Sequence, residues 1–397
     1  MKLCKRVLVL ALILALSISV VPVSARGGLD NFADRYTYTP GTFRDIKPGD
    51  WFYPGVVTAY EKGLMSGKGN GRFDPNSCMT VGEIVAIGAR LHALYHTGTE
   101  SFAQGSPWYG PYCEYADAQG LIRHYWFNEK YSVGQVDVHH NQFGISSTWP
   151  LTCNVEAGRN MFASILVKAV SDEALQPIND IADDQIPDVS MTAIYAEEIY
   201  TLYRAGVLVG SNAYGTFEPG KGITRGEAAS IIARVIDPSL RKSVTLQPAD
   251  YTVTGYCGGE VVLDPDSAGA LTVEGGENLQ YKLDLSTGVL TITGKGTMGF
   301  YAPWSNYAFR IREVYIDPAV TTIGAGAFAG CSQLERIELP DAVYRIGSEA
   351  FIGCEKLREI NIPASLEAIY EKAFFGCKSL PKLNIPSSVY MSYSVFS

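Results

Sequence analysis

The sequence is poor in charge and in the motifs that mark enzymes, nucleic-acid-binding proteins and membrane proteins with several spans. Charged residues make up 18% of its 397 residues, and the formal net charge of -9 argues against a nucleic-acid partner. No GxSxG or HExxH motif occurs, and no CxxC pair suggests a zinc site. Apart from one run near the N-terminus, no stretch is apolar enough to cross a bilayer. We therefore expect no catalytic residues, no cofactor and no metal.

The single apolar run lies within residues 1–25. Lys2, Lys5 and Arg6 precede it, and the small-residue sequence Val23-Ser24-Ala25 ends it. This order is typical of a secretory signal peptide. A retained membrane anchor is the alternative, but the run is short for a span and Pro22 interrupts it. We predict removal of residues 1–25, which changes the net charge from -9 to -12 and leaves a secreted protein without a membrane segment.

The C-terminal part of the chain repeats every 23 residues. IGAGAFAGCSQLERIELP begins at Ile323, IGSEAFIGCEKLREINIP at Ile346 and IYEKAFFGCKSLPKLNIP at Ile369. Each unit is too short to bury its own apolar residues, so this period predicts a solenoid in which equivalent residues stack. The segments that end at the recurrent proline are predicted as strands: Leu334–Leu339, Leu357–Ile362 and Leu380–Ile385.

The GAFxGCxxLxxIxIP pattern of these units resembles BspA-like leucine-rich repeats, whose parallel strands line one face of a curved solenoid. The resemblance implies a β-rich solenoid over residues 305–397 that binds an unknown protein or glycan. Val395-Phe396 repeats Ala373-Phe374, so a fourth unit is expected to begin there. The variable polar residues predicted on the solenoid face are Glu335, Arg336, Glu338, Arg358, Glu359, Asn361, Lys382 and Asn384.

The cysteines fall into two groups. Three share one position of the 23-residue unit and are expected to be small buried residues, although a disulfide between two neighbours stays open. The others have no pairing that their spacing predicts. The recurrent cysteines are Cys331, Cys354 and Cys377, the others are Cys78, Cys113, Cys153 and Cys257, and Cys4 leaves with the signal peptide.

A second, longer repeat occupies residues 43–238. Its first and third copies share an aspartate, a glycine, a Phe-x-Pro sequence and a Thr-x-x-Glu sequence. Trp108 corresponds to Trp51 of the first copy and marks a middle copy with an insertion at 123–150. A Thr-x-x-Glu sequence before apolar residues at helical spacing is a capping box, so helices are predicted after Thr80 and Thr224. Capping alone is the alternative to a ligand role for Thr224 and Glu227.

These copies resemble surface-layer homology repeats, which usually occur as three in tandem. The resemblance implies an all-α pseudo-threefold domain whose grooves bind secondary cell-wall polymer, commonly a pyruvylated glycan. The copies span 43–94, 101–172 and 183–238. Val81 replaces the expected arginine, Met161 the glutamate and Ile194 the tryptophan, which leaves the number of working grooves open. The residues implied in polymer binding are Asp45, Trp51, Gly67, Trp108, Arg159, Asp188, Gly210, Thr224 and Arg225.

The implied ligand presents a carboxylate and a flat apolar sugar face. Arg225 at a helix start would meet the carboxylate with a planar fork of donors, helped by free backbone N–H groups. Trp51 and Trp108 would stack on the sugar, and Gly67 and Gly210 would let it approach the backbone. For both tryptophans, burial in the core is the alternative.

The remaining segments complete the expected architecture. In the insertion, His124, His139 and His140 are not expected to share a metal, because adjacent histidines of a strand face opposite sides. Residues 239–248 are predicted as a linker, and 249–304 as a strand-rich cap of the solenoid with a hairpin that pairs Tyr281–Leu285 with Val289–Thr293. The predicted fold class is multidomain α + β, an all-α trimer of repeats followed by a β-rich solenoid.

Together these patterns predict a secreted cell-envelope protein of a Gram-positive-type bacterium, at the cell wall or S-layer. It would be anchored non-covalently to cell-wall polymer and would display the solenoid for adhesion or another surface interaction. The alternative is a wall-active or secreted hydrolase that uses the same anchor. No segment outside the two repeat regions is long enough to supply a catalytic pocket, which favours the display function.

Overall fold

The computed structural model describes residues 27–122, 153–263, 270–300 and 302–396. The predicted signal peptide and the insertion with His124, His139 and His140 lie outside these residues. The N-terminal part is helical and the C-terminal part is built from strands, which confirms the α + β fold class. The helices in the described ranges are α1 Tyr53–Glu61, α2 Val81–Thr97, α3 Gly110–Ala118, α4 Arg159–Ala169, α5 Ala196–Arg204 and α6 Arg225–Ile236.

Local side-chain chemistry decides where α2 and α6 begin. The side chains of Thr80 and Thr224 each accept a hydrogen bond from the backbone N–H of the glutamate three residues on. In return, Glu83 and Glu227 accept a bond from the backbone N–H of that threonine, at 3.0 and 2.9 Å. The two predicted capping boxes are therefore confirmed, and a cap of this kind contributes about 1 kcal/mol.

The starts of α2, α4 and α6 meet in a closed ring of backbone hydrogen bonds. The N–H of Met79 donates to the carbonyl of Ile223 at 2.8 Å, Ile223 donates to Ala157 at 3.1 Å, and Ala157 donates to Met79 at 2.8 Å. Each of these residues stands two positions before its helix. The ring therefore relates three copies of the repeat by a pseudo-threefold axis, as the sequence predicts.

A short helix packs against a long helix at each position of the ring. A side chain at Gly55 of α1 would lie 2.6 Å from the Cα of Ser230 in α6, so glycine is needed for this close approach. In the same way α3 packs on α2, and α5 packs on α4. Apolar residues of all three copies form one continuous core, whose burial is the main stabilising contribution.

Residues 239–248, predicted as a linker, lie along the third copy. The N–H of Val244 donates to the side-chain oxygen of Asn179 at 2.9 Å, and the N–H of Gln247 donates to the carbonyl of Ala213 at 3.0 Å. The side chain of Leu246 is buried between them. The segment therefore holds the start of the strand-rich part against the helices.

Arg310 joins the two parts of the molecule directly. Its guanidinium donates hydrogen bonds to the carbonyls of Pro187 at 2.8 Å and Asp184 at 2.6 Å, both in the third copy. Beside it, the rings of Tyr214 and Tyr251 lie 4.5 Å apart between centroids. The contact between the two parts thus includes one half-buried cation, whose donors meet backbone carbonyls, and a pair of tyrosines.

Four strands cover the first end of the solenoid. They are β1 Thr252–Leu263, β2 Ala270–Asp284, β3 Val289–Gly294 and β5 Glu313–Ile316, in the order β1-β2-β3-β5. The first three are antiparallel and β5 is parallel to β3. The predicted hairpin is present, with Asp284 opposite Val289 and Gly288 in the turn at φ +75°.

Two parallel ladders continue through the solenoid; the short one lies within the first two predicted strands, and the long one lies outside all three. Pairing within the first two predicted strands is confined to two residues each, and residues 380–385 form no strand. Arg358 donates its N–H to the carbonyl of Glu335, and Pro381 at the equivalent position has no N–H to donate. The long ladder joins β4 Gly296–Thr297, β6 Val320–Ile323, β8 Arg345–Ile346, β10 Ala368–Ile369 and β11 Tyr390–Met391, and the short ladder joins β7 Arg336–Ile337 and β9 Glu359–Ile360.

A column of stacked aromatic rings runs along the solenoid core. Ring centroids lie 5.3 Å apart between Phe328 and Phe351, 5.3 Å between Phe351 and Phe374, and 5.5 Å between Phe374 and Phe396. Trp304 of the cap stacks on Phe328 at 6.2 Å. The expected start of a fourth unit is therefore present, and the cap and the rungs share one core.

The recurrent cysteines lie beside this column as free thiols. Cys354 donates to the carbonyl of Phe328 and Cys377 to that of Phe351, both at 3.1 Å. All cysteines within the described residues are free, so the structure contains no disulfide between rungs. The expectation of small buried residues holds for Cys331 and Cys354, whereas Cys377 is half-buried because it belongs to the last complete rung.

Candidate functional site

Each place where a helix start meets the next copy is here called a junction and is named by the first residue of the helix. At the Arg225 junction, Arg225 Nε donates to the carbonyl of Phe73 at 2.8 Å, and Nη2 donates to the carbonyl of Ser66 at 2.6 Å. The guanidinium lies 4.7 Å from the centre of the Phe73 ring. These contacts bind the third copy to the first.

Arg225 is only 5% exposed, and its charge is balanced by Glu83. Its Nη1 lies 3.8 Å from the Glu83 carboxylate, which is beyond hydrogen-bond distance. Burial lowers the pKa of Arg225, while the nearby carboxylates of Glu83, Asp74 and Asp45 act in the opposite direction. A guanidinium stays protonated in proteins, so this junction contains a buried cation.

The Arg159 junction repeats this arrangement with one difference. Arg159 Nη1 forms a 2.7 Å ion pair with Glu227, and the guanidinium lies 5.4 Å from the centre of the Phe217 ring. Its Nε is buried without a hydrogen-bond partner in the described part of the chain, whereas Arg225 Nε reaches a carbonyl. Arg159 therefore depends mainly on its ion pair.

Among the residues that the structure describes, the Val81 junction has no ion pair. The ring places Val81 where the other junctions have arginine and Met161 where they have glutamate, and both side chains are buried. Val81 and Met161 lie far apart in the sequence, but at this junction they together replace the charged pair of the other junctions by an apolar pair. Such a replacement is often neutral or stabilising, so this junction closes without charge.

The backbone N–H groups at the helix starts are already bonded. The N–H of Arg225 donates to the carbonyl of Ser77 at 3.0 Å, and that of Gly226 to the carbonyl of Pro75 at 2.8 Å. The N–H of Glu227 donates to the Thr224 side chain in the capping box. The first two N–H groups of α2 and of α4 likewise donate to backbone carbonyls of the neighbouring copy. The expectation that free N–H groups would help to bind a carboxylate was therefore wrong, because the adjacent copy supplies their acceptors.

Both candidate tryptophans are exposed, which excludes the core alternative for them. Trp51 is 66% exposed and Trp108 is 52% exposed. The residue after each tryptophan packs on a helix start: Phe52 lies against Gly226 of α6, and the tyrosine after Trp108 lies against Gly82 of α2. Trp51 therefore stands at the Arg225 junction and Trp108 at the Val81 junction.

The junctions consequently carry different sets of side chains. The Arg225 junction combines an exposed tryptophan with the arginine and glutamate of the repeat. The Val81 junction has the tryptophan alone, and at the Arg159 junction half-buried Ile194 replaces it. Among the described residues, only the Arg225 junction brings Trp51, an arginine and a capping-box glutamate together.

Lys68 also belongs to the Arg225 junction, although the sequence did not single it out. Its Nζ pairs with Glu83 at 2.5 Å, and its side chain is 41% exposed. Burial raises the pKa of the Glu83 carboxyl, but Lys68, the N–H of Thr80 and Arg225 together lower it overall. Lys68 is therefore an accessible cation beside the buried arginine. The sequence contained a signal for this lysine, because the equivalent residue of the third copy is the uncharged Ser211.

Asp45 and Asp188 hold the Phe-x-Pro turns in place. Asp45 accepts hydrogen bonds from the N–H groups of Phe73 at 2.9 Å and Asp74 at 2.8 Å. Asp188 accepts the equivalent pair at 2.8 and 2.6 Å. The second donor of each pair has a positive φ, 61° in Asp74, which these bonds maintain.

The two aspartates differ in their electrostatic surroundings. Burial raises the pKa of Asp188, and its backbone donors only partly oppose this. At half-exposed Asp45, burial acts in the same direction, but the N–H groups of Phe73 and Asp74, with Arg72, lower the pKa overall. The environment of each carboxyl is thus set by the turn that it holds, and a ligand role stays a prediction.

Gly67 and Gly210 are needed by the fold itself. A Cβ at Gly67 would lie 2.7 Å from a ring carbon of Phe43, and a Cβ at Gly210 would lie 2.5 Å from the Cα of Gly215. Gly210 also has φ +78°. These contacts account for both glycines, and the approach of a ligand to them stays a prediction.

The predicted polar face of the solenoid is exposed but partly paired. Arg358 forms a 2.7 Å ion pair with Glu335 on the rung below. Asn361 exchanges two hydrogen bonds with the backbone of Leu339, at 2.6 and 2.8 Å, and so joins two rungs. The remaining residues of this face are exposed: Arg336, Glu338, Glu359, Lys382 and Asn384.

A second group of solenoid residues was not predicted from the sequence. The guanidinium of Arg345 lies 5.6 Å from the ring centres of both Tyr344 and Tyr370, and Tyr370 lies 6.3 Å from Tyr390. These side chains flank the isoleucines of the long ladder. Their position next to Ile346 and Ile369 was the available signal, although they do not recur every 23 residues.

Comparison with known protein families assigns both repeat regions. Residues 305–397 match the BspA type leucine rich repeat region in six copies, and residues 42–80 and 185–229 match the S-layer homology domain. The chain carries both kinds of repeat. The S-layer homology matches fall on the first and third copies, and the backbone ring adds the middle copy.

Solved structures of leucine-rich repeat proteins are similar to parts of the chain. A leucine rich cell surface protein from Faecalibacterium prausnitzii is 30% identical over 22% of this chain and 21% of its own, with a TM-score of 0.18. A leucine-rich repeat protein from Eubacterium ventriosum is 19% identical over 35% of this chain and 45% of its own, with a TM-score of 0.23. A leucine rich repeat protein from T. pallidum is 31% identical over 30% of this chain and 63% of its own, also with a TM-score of 0.23. The chain thus spans less than two thirds of each relative. Curated proteins give no match.

S-layer homology and BspA-type repeats are anchoring and repeat modules, so the chain is a bacterial cell-surface protein. Neither module is an enzyme family. Within the described ranges, no helix has both the length and the apolarity to cross a bilayer. The same residues contain no cluster of three or more metal-ligating side chains.

Proposed function

We propose that the S-layer homology region anchors this protein to an acidic secondary cell-wall polymer, and that the Arg225 junction is the main binding site. The observation that carries this proposal is the combination of exposed Trp51, exposed Lys68 and buried Arg225 at one junction. The tryptophan face suits the C–H surface of a sugar, and the cations suit a carboxylate such as that of a pyruvylated glycan.

A ligand carboxylate would compete for accessible cations that already have carboxylates nearby, since Lys68 pairs with Glu83 and Arg72 lies beside Asp45 and Asp74. Lys68 and Arg72 are exposed beside Arg225, and Arg72 lies 3.6 Å from Asp45. A carboxylate that approaches Lys68 would share the lysine with Glu83 and interact with the buried Arg225 through space. In this arrangement Arg225 supplies fixed charge and shape, and Lys68 and Trp51 make the direct contacts.

Replacement of Trp51 by alanine tests the proposal with the least effect on folding. Trp51 is exposed, so its removal is expected to leave thermal stability nearly unchanged and to weaken binding to purified cell walls about tenfold, equivalent to about 1.4 kcal/mol. Trp108→Ala is the matched control, because Trp108 stands at the junction without an ion pair. Equal losses from both variants, or no loss from Trp51→Ala, would contradict the assignment to one main site.

The chemistry of the polymer can be tested separately. Binding of the unchanged protein is compared on walls that retain the secondary polymer, on walls stripped of it, and on polymer whose pyruvate has been hydrolysed. We expect binding only where the carboxylate-bearing polymer is present. Lys68→Ala is expected to lower the affinity and to make the remaining binding less sensitive to salt, because the lost lysine contact is itself electrostatic. Undiminished binding to stripped walls would exclude the polymer as the ligand.

We further propose that the protein is exported from a Gram-positive-type cell and displays the solenoid as an adhesion surface for a protein or glycan. Exposed polar residues on the short ladder and the Tyr344–Arg345–Tyr370 group on the long ladder support this proposal, because tyrosine and arginine dominate binding surfaces. A binding assay on envelope fractions and host extracts compares Arg345→Ala, which alters the long-ladder surface, with Arg336→Ala, which alters the short-ladder surface. The variant that loses binding identifies the surface that is used. Hydrolysis of wall polymer by the purified protein would instead support the enzymatic alternative.

A further inference from the structure

Cys113 and Cys153 form a buried pair within the middle copy. Cys113 lies in α3, and Cys153 lies in the segment that leads to α4. Their sulfur atoms are 3.8 Å apart, although the residues are separated by 40 positions in the chain. Both side chains are almost fully buried, at 0% and 1% exposure. The fold therefore brings two distant thiols into direct contact.

The other copies show what normally occupies these positions. Cys113 is the fourth residue of α3, and the fourth residues of α1 and α5 are Val56 and Ile199. Cys153 accepts the N–H of Gly82, as Pro75 accepts the N–H of Gly226. The third copy again has a proline, Pro219, in that place, where it accepts the N–H of Asn160.

The middle copy has thus replaced both positions by cysteine. A single buried cysteine in place of valine would be an ordinary core residue. Two cysteines that replace an aliphatic residue and a proline, and whose sulfurs then touch, are better explained by a bond between them. The rung cysteines differ in this respect, because Cys354 and Cys377 use their thiols as donors to backbone carbonyls.

We propose that Cys113 and Cys153 form a disulfide in the exported protein. The step consumes one oxidising disulfide of a thiol-disulfide exchange partner: one thiolate attacks it, the second thiolate displaces the partner from the mixed disulfide, and the partner leaves as two thiols. Two protons and two electrons are transferred in total. The proposal rests on the export stated under the proposed function, since a disulfide persists in an oxidising compartment.

The bond would stabilise the junction that lacks an ion pair. It would link α3, which follows Trp108, to the residue whose carbonyl accepts the first-turn N–H of α2. It would also close a loop of 40 residue positions and so restrict the unfolded chain. The bond would lie within the middle copy and fix the two segments that pack against α2 at the Val81 junction, whereas the Arg225–Glu83 pair crosses between copies.

The test uses the purified full-length mature protein, oxidised with glutathione disulfide at mildly alkaline pH. Remaining thiols are blocked with N-ethylmaleimide in denaturant, and the protein is digested without reductant and examined by mass spectrometry. We expect one linked peptide pair that contains Cys113 and Cys153 and is lighter than the reduced pair by two hydrogen atoms. The melting temperature is expected to rise on oxidation and to fall back when a reductant is added.

Variants make the result independent of folding and of wall binding. Cys113→Val with Cys153→Pro copies the residues of the other repeats and is expected to fold, to bind cell walls as before and to lose the response of the melting temperature to oxidation. Cys331→Ser is the control that should retain this response. Maleimide on both Cys113 and Cys153 after oxidation of the folded protein, or a linkage to another cysteine, would overturn the proposal whether or not the protein binds walls.

Discussion

The S-layer homology region and the solenoid bury the apolar sides of short repeats in opposite ways. Three copies of the helical repeat close on each other through Met79, Ala157 and Ile223, so no copy has a free end. The solenoid stacks its rungs in a line that begins at Trp304 and reaches Phe396. One region is a ring that needs all its members, and the other is a stack that can grow rung by rung.

This difference explains where each region varies in sequence. Backbone hydrogen bonds close the ring, so the side chains at its junctions are free to differ, from the Arg225–Glu83 pair to Val81 and Met161. Backbone ladders also join the rungs of the stack, but its core is a column of touching side chains, so the same phenylalanine and cysteine recur in the three complete rungs. A close-packed column tolerates little change in volume. The proposed binding site consequently lies where the ring varies.

The largest expected effect is in the aromatic column. Phe351→Ala removes a fully buried ring between two stacked neighbours and is expected to lower the free energy of unfolding by about 3–5 kcal/mol. Phe396→Ala, at the exposed end of the column, should cost under about 1 kcal/mol. Urea unfolding of both variants checks the difference. Equal losses would mean that the stack does not depend on its central rings.

The second prediction tests whether backbone bonds alone can close a junction. Arg225→Val leaves the carbonyls of Phe73 and Ser66 and the Glu83 carboxylate without their partner and should cost about 2–4 kcal/mol. Adding Glu83→Met copies the Val81 junction and is expected to recover about 1–2 kcal/mol of this loss. A double-mutant cycle on chemical denaturation measures the coupling. Losses that simply add would show that the two side chains do not act as a pair.

The third prediction concerns the two aspartates that hold equivalent turns. The pKa of Asp45 is lowered in the folded state, so its advantage over Asp45→Asn should be present above pH 3.8 and disappear as pH falls through the lowered value. The pKa of Asp188 is raised, so its advantage over Asp188→Asn should be largest below pH 3.8 and decrease as pH rises through the raised value. Unfolding free energies measured between pH 3 and 7 check these opposite slopes.

A shared slope for the two variants would contradict the assigned environments. Lys295→Gln serves as a control for the general effect of charge, since it alters net charge away from both turns. The difference in unfolding free energy between Lys295→Gln and the unchanged protein should stay nearly constant over the same pH range.

The smallest expected effect is on the solenoid surface. Arg358→Ala removes an ion pair with Glu335 whose side chains are more than half exposed, so stability should change by about 0–0.5 kcal/mol. Asn361→Ala on the same face removes two bonds between rungs and should cost about 1 kcal/mol or more. Thermal unfolding compares them. A larger loss from Arg358→Ala would mean that surface charge, and not rung contact, stabilises the stack.

Local signals in the sequence were reliable where their physical cause is local. A capping box acts over three residues, so Thr80 and Thr224 marked their helices correctly. The hairpin before the solenoid has its glycine in the turn, and the prediction located it. The strands of the solenoid were only partly located because alternating apolar residues do not reveal which backbone groups find partners. Pro381 shows this, since it breaks the short ladder while the apolar pattern continues.

The candidate site was only partly predictable for a similar reason. Trp51, Arg225 and the capping-box glutamates were identifiable by type and position. Lys68 was missed, and the helix-start N–H groups were wrongly expected to be free, because their acceptors belong to another copy. The exposure of each tryptophan also depends on which residue beside it is buried; next to Trp51, the buried residue is Phe52.

By itself, the sequence determined that there are two kinds of repeat, where α2 and α6 start and that like residues stack in the solenoid, because these follow from short spacings and a constant period. Only the tertiary structure decided that Val81 and Met161 meet at one junction, that Trp51 belongs with Arg225, and that Cys113 touches Cys153. The first two outcomes depend on the closure of the ring, which joins residues of different copies through backbone bonds, and the third depends on how α3 packs within the middle copy. Backbone groups are the same in every residue, so no side-chain pattern records their pairing.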